Sequence, residues 1–253
     1  YFKNSPLVLN DVSFTIQPGE KIGVVGRTGS GKSTLLMALF RLVETKAGKI
    51  VMDGVTTRDA GLSELRSSLA IIPQEPVCFA GTVRSNLDPF NEHDDAELWK
   101  ALKLAHLHKF VKSLPGESYS AMAENGNNFS LGQKQLMCLA RAILKDSSIL
   151  VLDEATSAMD LETDSLIQKT IRKVFAKSTT ITIAHRLDTI IDSDKILVMG
   201  AGKVQEFDTP LNLLMNPNSQ FSGYVRDAGL NVSSIIGTGH SIEIPADEEQ
   251  PGA

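Results

Sequence analysis

The sequence predicts an α/β fold: a largely parallel sheet covered by helices, with a small antiparallel layer at one side. Three observations predict it. Short runs rich in Ile and Val alternate with segments of helical periodicity. The runs are apolar at successive positions, as strands buried on both faces are. The opening stretch is punctuated by Pro18-Gly19 and Gly48, as hairpins are.

In chain order, "LVLNDVSFTIQPGEKIGVV" (7–25) and "GKIVMDG" (48–54) read as hairpin-like strands that form the antiparallel layer. Within the first, "KIGVV" (21–25) is the first buried strand, and a helix follows Lys32. "LAIIP" (69–73) is a second buried strand. "DDAELWKALKLAHLHKFVKSL" (94–114) and "QKQLMCLARAIL" (133–144) carry apolar residues at helical spacing. "ILVLDE" (149–154), "TTITIAH" (179–185) and "KILVM" (195–199) are further strands. Between the first two of these lies the helix "LETDSLIQKTIRKVF" (161–175), with Leu161, Ile167, Ile171 and Val174 on one face. From Leu230 the periodicity stops and the chain becomes acidic and rich in Pro and Gly, which predicts a disordered tail.

With 253 residues, 42% of them hydrophobic, the chain can bury a substantial core. A net charge of −5 argues against a nucleic-acid partner held by a basic surface. Cys78 and Cys138 sit among apolar residues without metal-ligand spacing and read as reduced core thiols. No run is long enough to span a bilayer, and no signal-peptide pattern is present. The first residues already alternate like a strand, so the chain reads as a domain of a longer polypeptide.

Four stretches carry chemistry. Gly26-x-x-x-x-Gly31-Lys32-Ser33 follows a strand and opens a helix, the setting a phosphate loop requires. Gly26, Gly29 and Gly31 turn backbone amides toward an anion, Lys32 supplies a flexible cation, and the Ser33 hydroxyl suits Mg²⁺. Asp153 ends a buried strand at the carboxyl edge of the sheet, where it can hold Mg²⁺ through water, and Glu154 beside it is placed to activate a water. His185 ends a strand one helix later, so its imidazole can reach a γ-phosphate if the two strand ends are neighbours. The other histidines, His93, His106, His108 and His240, read as surface residues, and His106-x-His108 is the wrong spacing for a metal site on one helix face. In "ENGNNFSLGQKQLMCLARAIL", Ser130 and Gln133 form either a capping box or, with Gly132, an anion site at a helix start. The residues alone leave both readings open.

Together these stretches resemble the ATP-binding cassette family over nearly all of residues 1–228. The phosphate loop "GRTGSGKS", Gln74 in "IIPQEP", "FSLGQ", "ILVLDE", "SAMD" and His185 occur in the family's order. "GTVRSNLDPF" (81–90) and "GRTG" are similar to the C subfamily, the multidrug-resistance-associated transporters, and Glu154 and the single glycine of the signature resemble that group's second nucleotide-binding domain. The resemblance implies a P-loop NTPase (RecA-like) core at about 1–81 and 146–228. It implies a helical subdomain at about 82–145, followed by a disordered tail at 229–253.

It also implies ATP and Mg²⁺ as cofactors and ATP hydrolysis that powers export. Tyr1, or Phe2 in its place, would stack on adenine, and Gly26, Arg27, Thr28, Gly29, Ser30, Gly31, Lys32, Ser33 and Thr34 would hold the phosphates. Ser33, Gln74 and Asp153 would hold the metal, and Glu154, His185, Gln74 and Lys32 would serve catalysis. Ser130, Gly132 and Gln133 would face ATP bound by a second nucleotide-binding domain in a head-to-tail sandwich, with Asp160 signalling across it. The transmembrane domains would meet the segment after Gln74, placing the domain at the cytosolic face of a membrane. Phe129 stands where the family has Leu, and Leu131 replaces a glycine. Two other uses of such a domain are a nucleotide-gated channel or receptor regulator and a soluble, non-transport ATPase.

Overall fold

The computed structural model describes residues 6–153, 161–184 and 186–230, and the side chains of these except at 161–163. The elements in order are β1 (Lys21–Val25), α1 (Lys32–Leu39), β2 (Val51–Met52), β3 (Val55–Thr56), α2 (Leu62–Ser67), β4 (Leu69–Ile72), β5 (Gly81–Thr82), α3 (Val83–Leu87), α4 (Asp95–Leu104) and α5 (His108–Ser113). Then come β6 (Ala121–Met122), α6 (Leu131–Lys145), β7 (Ile149–Asp153), α7 (Leu161–Val174), β8 (Thr179–Ile183), β9 (Lys195–Gly200), β10 (Lys203–Asp208), α8 (Pro210–Met215) and α9 (Gln220–Asp227).

Six strands form one sheet in the order β10-β9-β1-β8-β7-β4. All pairs are parallel except β10 with β9. The near-continuous apolar runs read in the sequence are these inner strands. Helices cover both faces, so every side chain of Val24, Leu150 and Val198 finds apolar neighbours. A first apolar cluster joins β4 and β7 to helices α3 to α7, with Leu102, Met137 and Ile167 buried in it. A second packs α8 and α9 on one face around Phe221, and a third lies around Ile22, Leu36 and Leu197.

The antiparallel layer is smaller than the opening residues suggest. β2 and β3 form a hairpin whose two-residue loop, Asp53 and Gly54, takes φ of 48° and 81°, the left-handed pair that such a turn needs. The stretch from Leu7 to Ile16, expected as a strand, is not one. Asp11 at φ 56° breaks the extended run. Leu9, Val12, Phe14 and Ile16 still alternate inward against the third cluster, so the pattern marks a packed edge without a ladder. Two two-residue strands, β5 and β6, pair elsewhere.

The helix expected over 94–114 is two helices. His106 at φ 58° ends α4, with its amide bonded to Lys103 O and that of Leu107 to Leu102 O, a Schellman closure without the usual glycine. His106 is exposed, but His93 and His108 are half-buried rather than on the surface. Cys78 and Cys138 are both buried and unbridged, and burial pushes the Cys138 thiol up. Among the described residues no helix is long and apolar enough to cross a membrane. The expected tail falls almost wholly outside the described residues.

Candidate functional site

Parallel pairing brings four strand ends to one edge of the sheet. Val25 pairs with Val198, Val24 with Ile183, Ile183 with Asp153, and Leu152 with Ile72. The loop at Gly26, Ala184 at the end of β8, Asp153 and the Pro73-Gln74 turn therefore lie in a row. At about 4.8 Å per strand, Gly26 and Asp153 stand roughly 10 Å apart across β8. The expectation that the β7 and β8 ends are neighbours holds, although His185 itself lies outside the described residues. So do Glu154, Asp160, Tyr1 and Phe2.

The loop between β1 and α1 is built so that only glycine fits at two positions. A Cβ on Gly26 would stand 2.3 Å from the carbonyl oxygen of Met199, and one on Gly31, at φ 105°, would stand 2.8 Å from Leu9 Cδ2. Gly31 is also the cap of α1 and offers no side-chain acceptor to the first-turn amides. No acidic residue occupies that turn, leaving the positive end of the helix dipole for an outside anion.

The Lys32 ammonium folds back over the turn, donating to Gly26 O at 2.7 Å and Arg27 O at 3.3 Å. Lys32 is 8% exposed and Ser30 4%, and the Ser30 hydroxyl finds no hydrogen-bond partner. A buried cation and an unused hydroxyl inside a loop of backbone amides suit a multiply charged phosphate. Arg27, Thr28 and Gly29 are the loop's solvent-facing residues, and Ser33 is likewise exposed. A cavity of about 560 Å³ adjoins the loop's outer side, between Arg27, Met199, Gln220, Tyr224 and Asp227.

Supports that motif reading missed come from the β9–β10 turn. Met199 O crowds Gly26, and Gly202 donates to Ser30 O at 3.0 Å while accepting from Asn10 at 2.8 Å. Gly202 has φ 75°, and a Cβ there would collide with Val8 O at 1.9 Å. The Gly-Ala-Gly run at 200–202 is the signal that marks it.

Gln74 is exposed at the bend after β4, and Asp153 is half-buried at the end of β7. The Ser130 segment does not join the row. It opens α6, which packs on α4 and β4 at the sheet's far edge. The capping box is present: Ser130 Oγ accepts from Gln133 N at 3.2 Å, and Gln133 Oε1 accepts from Ser130 N at 2.9 Å. Phe129 is buried edge-on against Phe110, with ring centroids 5.2 Å apart, while Leu131 is 42% exposed. Past the β8 end, Arg186 pairs with Asp188 at 2.8 Å and with the buried Asp164 of α7 at 3.2 Å. Those carboxylates, Asp188 first, raise the guanidinium pKa.

Comparison with known proteins matches residues 9–157 to the ABC transporter family model. The chain is 54% identical over 236 residues to ATP-binding cassette sub-family C member 4 of Mus musculus, covering 93% of this chain and 18% of that protein. It is 53% identical over 230 residues to the ATP-binding cassette transporter abc2 of Schizosaccharomyces pombe, covering 91% and 16%. The chain thus spans less than a fifth of the length of these curated relatives. A solved structure of a bacterial Atm1-family ABC exporter with ATP bound superposes with a TM-score of 0.83 at 35% identity, over 90% of this chain and 40% of that one.

Proposed function

The chain belongs to the ABC transporter family, and from that premise we propose that it binds and hydrolyses ATP to drive export by a larger membrane protein. The observation that carries this reading is the row at the sheet edge, where an amide-rich loop with the Lys32 cation shares one border with Asp153. A phosphate chain with a bound cation uses both charges.

In this reading Gly26 to Thr34 wrap the phosphates, and Lys32 exchanges its carbonyl partners for phosphate oxygens. Ser33, Asp153 and Gln74 would hold Mg²⁺, which when bound neutralises charge on the β- and γ-phosphates. Glu154 takes a proton from the attacking water, and His185 donates to the γ-phosphate from the end of β8. Tyr1 stacks on adenine.

The second half of each site comes from a second nucleotide-binding domain. Ser130, Gly132 and Gln133 cover the partner's ATP head to tail, and Asp160 lies at that junction. The organisation is a core at about 1–81 and 146–228 with a helical subdomain at about 82–145. The segment after Gln74, with Val77 and Phe79 exposed, meets the transmembrane domains. The domain works at the cytosolic face of the membrane.

The test is ATP turnover by the full-length protein with Glu154→Gln. Turnover falls by about 10²- to 10⁴-fold while nucleotide affinity is retained. Undiminished turnover removes Glu154 as the base.

A further inference from the structure

Two side chains of α6 hold the segment that follows β4. The Gln135 side-chain amide donates to Pro73 O at 3.1 Å and to Gln74 O at 3.4 Å. Six residues on, Arg141 donates to Val77 O at 2.5 Å, to Asn86 O at 2.6 Å and to Asn86 Oδ1 at 2.8 Å. Asn86 in turn grips Phe79 by both backbone groups, accepting from its N–H at 2.8 Å and donating to its carbonyl at 2.8 Å. Gln135 and Asn86 are 3% and 4% exposed, so the bonds of these two side chains are shielded from water.

Every acceptor but one is a main-chain oxygen. The clamp therefore fixes the path of the chain from Pro73 to Phe79, whatever side chains that path carries. Gln135 and Arg141 are separated by about 9 Å of helix, so the segment is pinned at two points to one rigid rod. The same rod begins at Ser130. A displacement of Gln74 that keeps these bonds carries the Ser130–Gln133 turn with it.

Resting on the proposed function, we propose that Gln135 and Arg141 are positioning residues that couple the two nucleotide sites of the sandwich. They tie Gln74, which serves this chain's own ATP, to the helix start that covers the partner's ATP. Occupancy of one site then biases the geometry of the other, and the clamp carries part of that coupling free energy.

The test uses the full-length transporter and magnesium-ATP. Binding of the first and second nucleotide and the melting temperature are measured for the wild type, Gln135→Met, Arg141→Lys and Arg141→Gln. Gln135→Met keeps length and burial but removes the donor. It is expected to weaken the factor by which one nucleotide strengthens binding of the other by about fivefold or more, a larger change than in first-nucleotide affinity, with only a modest drop in melting temperature from the carbonyls left without their donor. Arg141→Gln does the same, and Arg141→Lys, which keeps one charged donor, recovers part of the loss. Wild-type cooperativity in the variants overturns the inference and leaves the functional reading standing. Loss of melting temperature and first-site affinity in step with cooperativity also overturns it, because the clamp is then only structural. A wild type that binds no nucleotide overturns both.

Discussion

The Lys32 ammonium stands 2.7 Å from the main-chain oxygen of Gly26, closing the loop that its own helix begins. The cation is thus held inside the turn by dipoles that a phosphate oxygen outbids, since a full negative charge binds an ammonium more strongly than a carbonyl does.

Replacing Lys32 with alanine removes a charge-assisted contact of about 1.5–3 kcal/mol, so nucleotide affinity falls by about ten- to a hundredfold. Titration calorimetry with magnesium-ATP measures it. Affinity equal to wild type removes Lys32 from the phosphate site.

Much of this arrangement was legible because strand and loop signals are local. The inner strands announced themselves by runs of Ile and Val, and the phosphate loop by glycines whose neighbours, Met199 O and Leu9, leave no room for a Cβ. The break at His106 was not legible, because a non-glycine residue takes the left-handed position there and the apolar spacing continues across it into α5. Leu7 to Ile16 misled for the opposite reason. Alternation reports which side chains face inward, and it does so whether or not a ladder forms. Gln135 and Arg141 gave no signal at all, since their partners are mainly backbone oxygens, up to 64 residues away, that carry no residue identity.

Gly26→Ala tests the loop's packing independently of nucleotide. The new methyl carbon meets Met199 O at 2.3 Å, a backbone atom that moves only with β9. A cost of about 2 kcal/mol is expected for such strain, which lowers the melting temperature by about 4–8 °C in a domain of this size. Gly29→Ala is the control at φ 80°, where a Cβ meets nothing within 4 Å; its strain is in φ alone and its loss is smaller. Equal losses at the two sites would mean that the Met199 contact is immaterial.

Asp88 predicts a pH dependence. Its buried carboxylate accepts from Glu92 N at 3.0 Å and from His93 N at 2.8 Å. Burial alone would push the pKa up; those two amides, with His93 and Arg84 nearby, outweigh it and hold the carboxyl below its ordinary value. A depressed folded pKa stabilises the fold above the unfolded pKa of about 3.9 and loses that contribution as pH falls through the folded value. In denaturant titrations the gap between wild type and Asp88→Asn is therefore present at about pH 5 and narrows below about pH 4. A gap that does not change with pH means the charge of Asp88 is irrelevant.

Leu131 bears on the partner's site. It is the first residue of α6 and 42% exposed, while Phe129 two residues earlier is anchored inside the helical layer. The buried ring fixes the direction in which the next two residues project, so Leu131 presents its four side-chain carbons where the proposed sandwich brings the partner's γ-phosphate. Trimming it to glycine costs at most about 1 kcal/mol of helix propensity, and the Ser130–Gln133 capping box does not involve its side chain. The backbone amides of the turn can then approach the phosphate more closely. Phosphate release by the full-length protein carrying Glu154→Gln, which silences this chain's own site, reports the partner's site alone. Adding Leu131→Gly in that background is expected to raise turnover by about two- to tenfold, a gain of about 0.4–1.4 kcal/mol in transition-state binding. Equal or lower turnover would mean that the bulk at this position does not limit the partner's chemistry.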